Sequence, residues 1–413
     1  MSGQTLRQPG DPPPLRVGFL FDGSGKGYGV FELTRSLVES LDRGEVTPVG
    51  LFLGAGYERG ELARVCDEVC DLGSGCLLPL SQPGHGKWYL PNLFRKAGRF
   101  LRAVRALARA IRRLDLDMVH VHFYPLHLIA GLACRLAGVP CLWHWHGPFQ
   151  HGGVARLATR VGFWCLADHV ACISRFVLET LPPQVQRRAS VVYNGVDTGR
   201  IAGGQQHGVL RRRIAVPEGA PLVGLFGAIM ERKGHEYFIR AAARVVQRSP
   251  DVRFVIVGTE SEVSRLRYGL EARYRRLAGE LGLARSVIFA GYIPDASLLM
   301  ADCDIICMPT IPMGRDSGEG FGLVMAEAMA AGVPVVATAC GAAPEIMGPR
   351  ATGLLVPPRD SDALADAILF LLEDEERRRA FAQAARRRIE EHFDIRHAAR
   401  TLEDVYRAVT RGQ

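Results

Sequence analysis

Apolar residues in this chain fall into short runs, and between most of the runs lie stretches with the three-to-four spacing of a helix. The first run, Leu15–Phe21 (LRVGFLF), predicts a buried strand. A glycine-rich loop follows at residues 23–29 (GSGKGYG), and residues 30–41 carry apolar positions at helical spacing. Strand, glycine loop and helix make a Rossmann-type opening. The loop meets neither the dinucleotide pattern G-x-G-x-x-G nor the P-loop, because Gly27 stands where a P-loop needs Ser or Thr after Lys26. Further strands are predicted at 46–53, 118–122, Cys141–Trp145, 169–173 and 190–193. Alternation of this kind predicts a parallel sheet wrapped by helices.

Past Asp197 the pattern breaks, and residues 198–220 are polar, basic and glycine-containing, as in a linker with a short helix. The alternation restarts with a strand at Leu222–Phe226, a helix at His235–Arg248 and a strand at Arg253–Val257. Strands at 287–290, Ile305–Met308 and 335–337 follow. The fold class is therefore α/β, with two Rossmann-like domains in tandem whose facing strand ends would form an interdomain cleft. The expected division is a disordered tail at 1–14, an N-terminal domain at 15–197, a linker at 198–220 and a C-terminal domain at 221–390. A last helix at 391–413 would pack back toward the N-terminal domain.

Composition narrows this only a little. The 413 residues are 48% hydrophobic and 23% charged, enough for large ordinary cores. A net charge of +8 is too modest at this length to imply nucleic acid, and suits anionic lipid or a diphosphate equally well. Ten cysteines occur, mostly inside apolar runs and without a Cys-x2-Cys pair, and read as buried thiols. Cys66, Cys70 and Cys76 have no nearby histidine to complete a metal set. The polar, proline-rich start is unlike a signal peptide, and no run of about 18 uncharged apolar residues occurs. Both points lead to the expectation of a cytoplasmic protein.

Candidate chemistry concentrates at residues 318–330 (GEGFGLVMAEAMA). Glu319 precedes a helix expected to start near Gly322, and Glu327 lies within it, eight residues on. Free backbone N–H groups at Leu323 and Val324 would favour a diphosphate. Gly320 and Gly322 let the backbone approach a ligand closely. The plainer reading is a capping glutamate followed by a second glutamate on a solvated face. Against it, Glu327 is flanked by Ala326, Ala328, Met329 and Ala330.

This segment resembles the Glu-x7-Glu signature of retaining glycosyltransferases of family 4 (glycosyl transferases group 1), which have the two-domain GT-B fold. Other stretches fall in the family's order: Trp145-His146-Gly147, Asn194-Gly195-Val196-Asp197, Phe226-Gly227 followed by Lys233-Gly234, and Gly353-Leu354-Leu355-Val356-Pro357-Pro358. The resemblance covers nearly the whole chain. It implies that Lys233 contacts the donor diphosphate, that Glu319 binds donor-sugar hydroxyls and that Glu327 binds the ribose. Gly227 belongs to the first loop of the nucleotide domain. The Phe321, Gly322, Leu323 and Val324 backbone cradles phosphate and sugar, Gly27 and Gly29 lie against the phosphates, and His146 lines the sugar pocket. The activity implied is transfer of a hexosyl unit from a nucleotide diphosphate sugar to a glycan or lipid-linked acceptor, with retention. One departure stands out. Where the family has an arginine after the glycine, this chain has Ala228; Arg232, beside Lys233, is the available substitute. A nucleotide-sugar epimerase and a non-catalytic sugar-nucleotide binding protein are the competing classes.

Three weaker signals remain. His120, His122, His144 and His146 alternate on two predicted strands. They invite a metal reading, but no carboxylate signature joins them, and sugar-pocket or strand-end polar roles are preferred. Asp302-Cys303-Asp304 resembles an Asp-x-Asp metal motif yet directly precedes a strand and reads as its start. No metal or other cofactor is expected. Arg95, Lys96, Arg99, Arg102, Arg105, Arg109, Arg112 and Arg113 lie on a helix with an apolar face. It is either a solvated helix over the sheet or a peripheral contact with anionic membrane, on the inner face.

Overall fold

The computed structural model of the protein describes residues 13–21, 29–53, 58–73, 90–149, 161–313, 318–348 and 352–411. The chain divides into two compact units: Met1–Gly195 with Ile395–Gln413, and Val196–Asp394.

The N-terminal unit is built on a seven-stranded sheet: β1 (Leu15–Phe21), β2 (Val46–Phe52), β3 (Glu68–Asp71), β4 (Met118–Val121), β5 (Cys141–Trp145), β6 (His169–Cys172) and β7 (Ala189–Val191). Its order is β3-β2-β1-β4-β5-β6-β7 and every pairing is parallel. The C-terminal unit has six strands: β8 (Leu222–Phe226), β9 (Arg253–Val257), β10 (Val287–Gly291), β11 (Ile305–Met308), β12 (Val335–Thr338) and β13 (Leu354–Val356). Their order is β10-β9-β8-β11-β12-β13, again all parallel. Each sheet thus reverses its order between its first and fourth strands, β1 and β4 in one and β8 and β11 in the other. That reversal is where doubly wound sheets bind ligands, outside the carboxyl ends of the strands.

The strands form because their short Val, Ile, Leu and Phe runs are covered on both faces. All five residues of β8 and all four of β11 are buried. Helix His235–Arg248 contributes Phe238, Ile239, Ala241, Ala242 and Val245 to that core and packs on helix Ser361–Leu372. Helix Ile395–Arg411 closes the N-terminal unit. It buries Ile395, Ala398, Ala399, Leu402 and Tyr406 and lies on helix Gly29–Glu39. Its Glu403 carboxylate accepts the Asp42 N–H at 2.8 Å.

Residues 198–220, read above as a linker, belong to the C-terminal unit. They form helices Thr198–Gly204 and Val209–Arg213. The Asp302 carboxylate accepts the N–H groups of Gly208, Leu210 and Arg211, and Asp304 takes the Arg211 guanidinium at 2.9 Å and the Leu222 N–H at 2.8 Å. Polarity misled because these residues are held by polar bonds to the strand start. Among the described residues, no helix is long and apolar enough to cross a membrane.

Candidate active site

The C-terminal site is assembled on the segments that follow β8 and β11. After β8, Gly227 donates its N–H to Val257 O at 2.8 Å, and a tight turn at Glu231–Lys233 follows. Ile311, just beyond β11, donates its N–H to Arg232 O at 2.8 Å and so ties the two segments together. Glu319 comes next in the chain. Its Oε1 accepts Lys233 Nζ at 2.5 Å and Arg232 Nη1 at 2.7 Å. The Glu319 backbone is fixed too, since Ala342 donates its N–H to Glu319 O at 2.9 Å. Gly341 makes that approach possible: its φ is +60°, and a Cβ there would stand 2.5 Å from Glu319 O.

The electrostatics follow from this packing. Burial by itself would raise the Glu319 carboxyl, but Lys233 and then Arg232 outweigh burial and hold it below the ordinary carboxyl value. Glu319 is therefore an ionised acceptor. Three residues later Gly322, at φ +87°, starts helix Leu323–Ala330, with no side chain capping it. The Leu323 and Val324 N–H groups lie in the first turn, where the helix offers no internal acceptor. Phe321 is buried against the Phe393 ring, with centroids 5.8 Å apart. Glu327, further along the helix, is pushed up to about 7 by burial, which Arg200 opposes.

The structure thus brings together Arg232, Lys233 and Glu319, with Gly320, Phe321, Gly322, Leu323 and Val324 directly following. The Cβ position of Gly227 is 4.0 Å from Lys233 Cε. Ala228 leaves its place without a cation, and Arg232 reaches Glu319 beside Lys233. Gly29 is the exposed first residue of helix Gly29–Glu39, while Gly27 lies outside the described residues.

His146 belongs to the N-terminal unit, one residue past β5. Strands β4 and β5 pair with Val121 opposite Trp143, so the alternating histidines of both strands share one face. There they form two hydrogen-bonded pairs. His122 Nδ1 meets His146 Nε2 at 3.0 Å, and His120 Nε2 meets His144 Nδ1 at 3.1 Å. The pairs lie against each other, with His144 and His146 stacked at 4.5 Å between ring centroids and His120 and His122 tilted at 4.2 Å. Tyr406, from helix Ile395–Arg411, contacts His120 Nδ1 at 2.7 Å. Burial lowers His120, His122 and His144 well below the ordinary histidine value and takes His146 to about 3, so all four rings are neutral. The nearest ring nitrogens of His120, His122 and His144 lie within 4.8 Å of one another. The paired distances of 3.0 and 3.1 Å are those of hydrogen bonds. Tyr406 was not foreseen from sequence; no local signal links it to His120, 286 residues away.

Two Rossmann-like units, one with a histidine cluster on β4 and β5 and the other with a charged cluster past the ends of β8 and β11, match the GT-B fold. Comparison with known proteins agrees. The family model "Glycosyl transferases group 1" matches residues 208–388, and "Glycosyltransferase Family 4" matches residues 64–200. A GDP-mannose-dependent monoacylated alpha-(1-6)-phosphatidylinositol monomannoside mannosyltransferase of Corynebacterium glutamicum is 30% identical over 301 residues, covering 69% of this chain and 74% of that protein. A D-inositol 3-phosphate glycosyltransferase of Corynebacterium urealyticum is 33% identical over 230 residues, and there the match spans 51% of the relative. Among solved structures, an Anabaena protein, HepE, in complex with UDP and glucose aligns with a TM-score of 0.75 at 22% identity, covering 95% of this chain and 100% of that one. The chain belongs to the group 1, family 4-type glycosyltransferases.

Proposed function

We propose that this glycosyltransferase moves a hexosyl unit from a nucleoside diphosphate sugar to a hydroxyl of a glycan or lipid-linked acceptor, with retention at the anomeric carbon. The observation that carries the reading is the Arg232–Lys233–Glu319 cluster beside the start of helix Leu323–Ala330. Two cations and two first-turn amides suit a diphosphate, and an ionised carboxylate suits sugar hydroxyls. The printed name of the C. glutamicum relative, with its GDP-mannose donor and phosphatidylinositol mannoside acceptor, supports a hexose donor and a lipid-linked acceptor.

In the proposed reaction the bond between the anomeric carbon and the diphosphate oxygen breaks. The acceptor oxygen bonds to that carbon on the same face, and its proton passes to the departing diphosphate. Lys233, Arg232 and the Leu323 and Val324 amides stabilise the charge that builds on the leaving group. Glu319 holds the sugar, and Glu327 holds the ribose. This scheme needs no metal, so turnover is expected to survive excess EDTA.

Contact with an anionic membrane is a separate part of the proposal. On helix Leu90–Arg113, residues Ala103, Val104, Leu107, Ala108 and Ile111 are already buried, and the helix packs on helix Tyr124–Ala137. Arg102, Arg105, Arg109 and Arg112 are exposed. The contact would therefore be electrostatic, without insertion of the apolar face.

A thermal-shift screen with UDP-, GDP- and ADP-hexoses tests the core reading. A true donor should raise the melting temperature, by about 2.7 kcal/mol of stabilisation at a hundred times its Kd. No response to any of them would overturn the donor assignment. Release of an altered nucleotide-sugar without an acceptor would make the protein an epimerase.

A further inference from the structure

Three successive helical segments of the N-terminal unit pack in a row, and none of them carries an acidic residue. They are helix Leu90–Arg113, helix Tyr124–Ala137 and residues 161–165. The first two pack on each other, and the Arg112 guanidinium donates to Leu136 O. The third is tied to the second: Arg135 Nε–H donates to Cys165 O at 3.0 Å, and a Cβ on Gly131 would stand 2.5 Å from the Leu166 Cβ. The outer faces of these segments are rich in exposed apolar side chains. Val161, Trp164 and Cys165 share one helix face at i, i+3 and i+4, and all are exposed, Trp164 by 62% and Val161 by 53%. Phe163 turns the other way and packs on Trp143 and Trp145, with ring centroids 5.2 and 4.9 Å away, so the core does not need Trp164. Leu136, 56% exposed, ends a row with the half-buried Leu128 and Leu132. Arg112, which reaches Leu136, ends the exposed row of Arg102, Arg105 and Arg109. Asp168, just past residues 161–165, is paired with Arg135 at 3.2 Å and accepts the Cys141 N–H.

We propose that Trp164, Val161 and Leu136 enter the headgroup region of an anionic membrane beside the arginine row, so that this face docks on lipid by burial as well as by charge. The inference rests on the membrane contact proposed above. It adds the apolar part that helix Leu90–Arg113, with its own apolar side in the core, does not supply. Tryptophan suits such a boundary because its ring is apolar while its indole N–H can stay hydrogen-bonded. Basic side chains draw the face toward anionic headgroups, and inserted apolar ones hold it there. Charge decides against a second copy of this chain as the occupant. A two-fold contact through one shared face would set arginines against arginines, with no acidic side chain on these segments to meet them. Helix Leu90–Arg113 and helix Tyr124–Ala137 end where β4 and β5 are about to begin, so Arg112 and Leu136 stand toward the amino ends of the strands. The candidate site residues lie past the carboxyl ends, and the docking face is separate from them.

The experiment uses the full chain with vesicles of phosphatidylcholine, alone or mixed with phosphatidylglycerol. The wild type should sediment with the mixed vesicles, and its tryptophan emission should shift to the blue and be quenched by brominated acyl chains. Trp164→Phe should lose the shift and the quenching, which separates Trp164 from the other tryptophans. Trp164→Ser combined with Leu136→Ser should weaken binding to the mixed vesicles about tenfold or more. The melting temperature of that variant should match the wild type, because both side chains lie outside the core. A wild type that ignores the mixed vesicles would remove the membrane contact itself, and this inference with it. Sedimentation without the Trp164 shift, or sedimentation unchanged in the double variant, would leave the electrostatic contact standing and overturn the insertion. Equal binding to both kinds of vesicle would overturn the choice of an anionic surface. A dimer in solution that Trp164→Ser dissociates would make the face a self-contact and overturn the proposal equally.

Discussion

The two sheets share a strand order, yet the polar centres at their carboxyl ends are built in opposite ways. In the N-terminal unit, four neutral histidines hydrogen-bond one another in two pairs. In the C-terminal unit, Glu319 is ionised and held between two cations. The first arrangement is a buried hydrogen-bonded cluster without charge. The second sums two cations and one carboxylate to a surplus of one positive charge, which suits a diphosphate. A shared topology places both clusters, while the choice of side chain decides whether each is a charged or a neutral site.

The largest expected effect comes from removing the charged centre. Glu319→Ala should lower kcat by roughly a hundredfold or more, as loss of a positioning contact does. It should also tighten binding of the nucleoside diphosphate alone, because Lys233 and Arg232 no longer share a carboxylate. Calorimetry showing weaker diphosphate binding would break the contrast between the two centres. Next comes the response to acid. The folded values of His120, His122, His144 and His146 lie below the ordinary 6.5, so the unfolded chain binds protons that the folded chain refuses. Stability from these groups is fully present above pH 6.5 and is lost as pH falls, down toward about 3 for His146. Each can contribute up to about 1.4 kcal/mol per pH unit. Melting temperatures measured from pH 7 to 4.5 should fall, and a flat profile would contradict the neutral cluster.

Glu327 has the opposite sign. Its folded value is raised from 4.5 to about 7, so the associated stability is present below pH 4.5 and lost as pH rises to about 7. Glu327→Gln should raise the melting temperature at pH 8 and leave it unchanged below pH 4.5. Glu327→Ala should weaken nucleoside diphosphate binding by about 1.5–3 kcal/mol, the range for a hydrogen bond to a charged group. Equal affinity in a folded mutant would remove Glu327 from the ribose. The smallest effect concerns the arginine stripe. Replacing Arg102, Arg105, Arg109 and Arg112 by Gln should reduce sedimentation with anionic vesicles, at about 1 kcal/mol for each basic residue near such a surface. Unchanged sedimentation would leave the stripe as a solvated face.

Much of the fold was legible because buried parallel strands appear as continuous apolar runs; β1, β5, β8, β9 and β11 stand where the pattern put them. β3 was missed because Glu68–Asp71 has only Val69 and Cys70 as apolar residues, and at a sheet edge it needs no more. The site was legible in part. The sequence pattern marks Glu319 and the start of its helix, but Arg232 is 87 residues away, and only the fold brings the two together. Likewise, alternation put two histidines on each of two strands, yet the register of β4 against β5 decides which rings meet. The amphipathic pattern of Ile395–Arg411 marks a helix without saying which sheet it covers. Sequence spacing specifies local period, and these pairings are set by tertiary packing.

Helix Ile395–Arg411 also makes the N-terminal unit discontinuous in the chain. Asp42 and Glu403 are separated by 361 residues, with the whole of Val196–Asp394 made between them. On the ribosome the C-terminal unit is one continuous stretch and can close as it emerges. The N-terminal unit lacks its last helix, and His120 lacks Tyr406, until residues 395–411 have been made. The half translated first is thus the last to receive all of its chain.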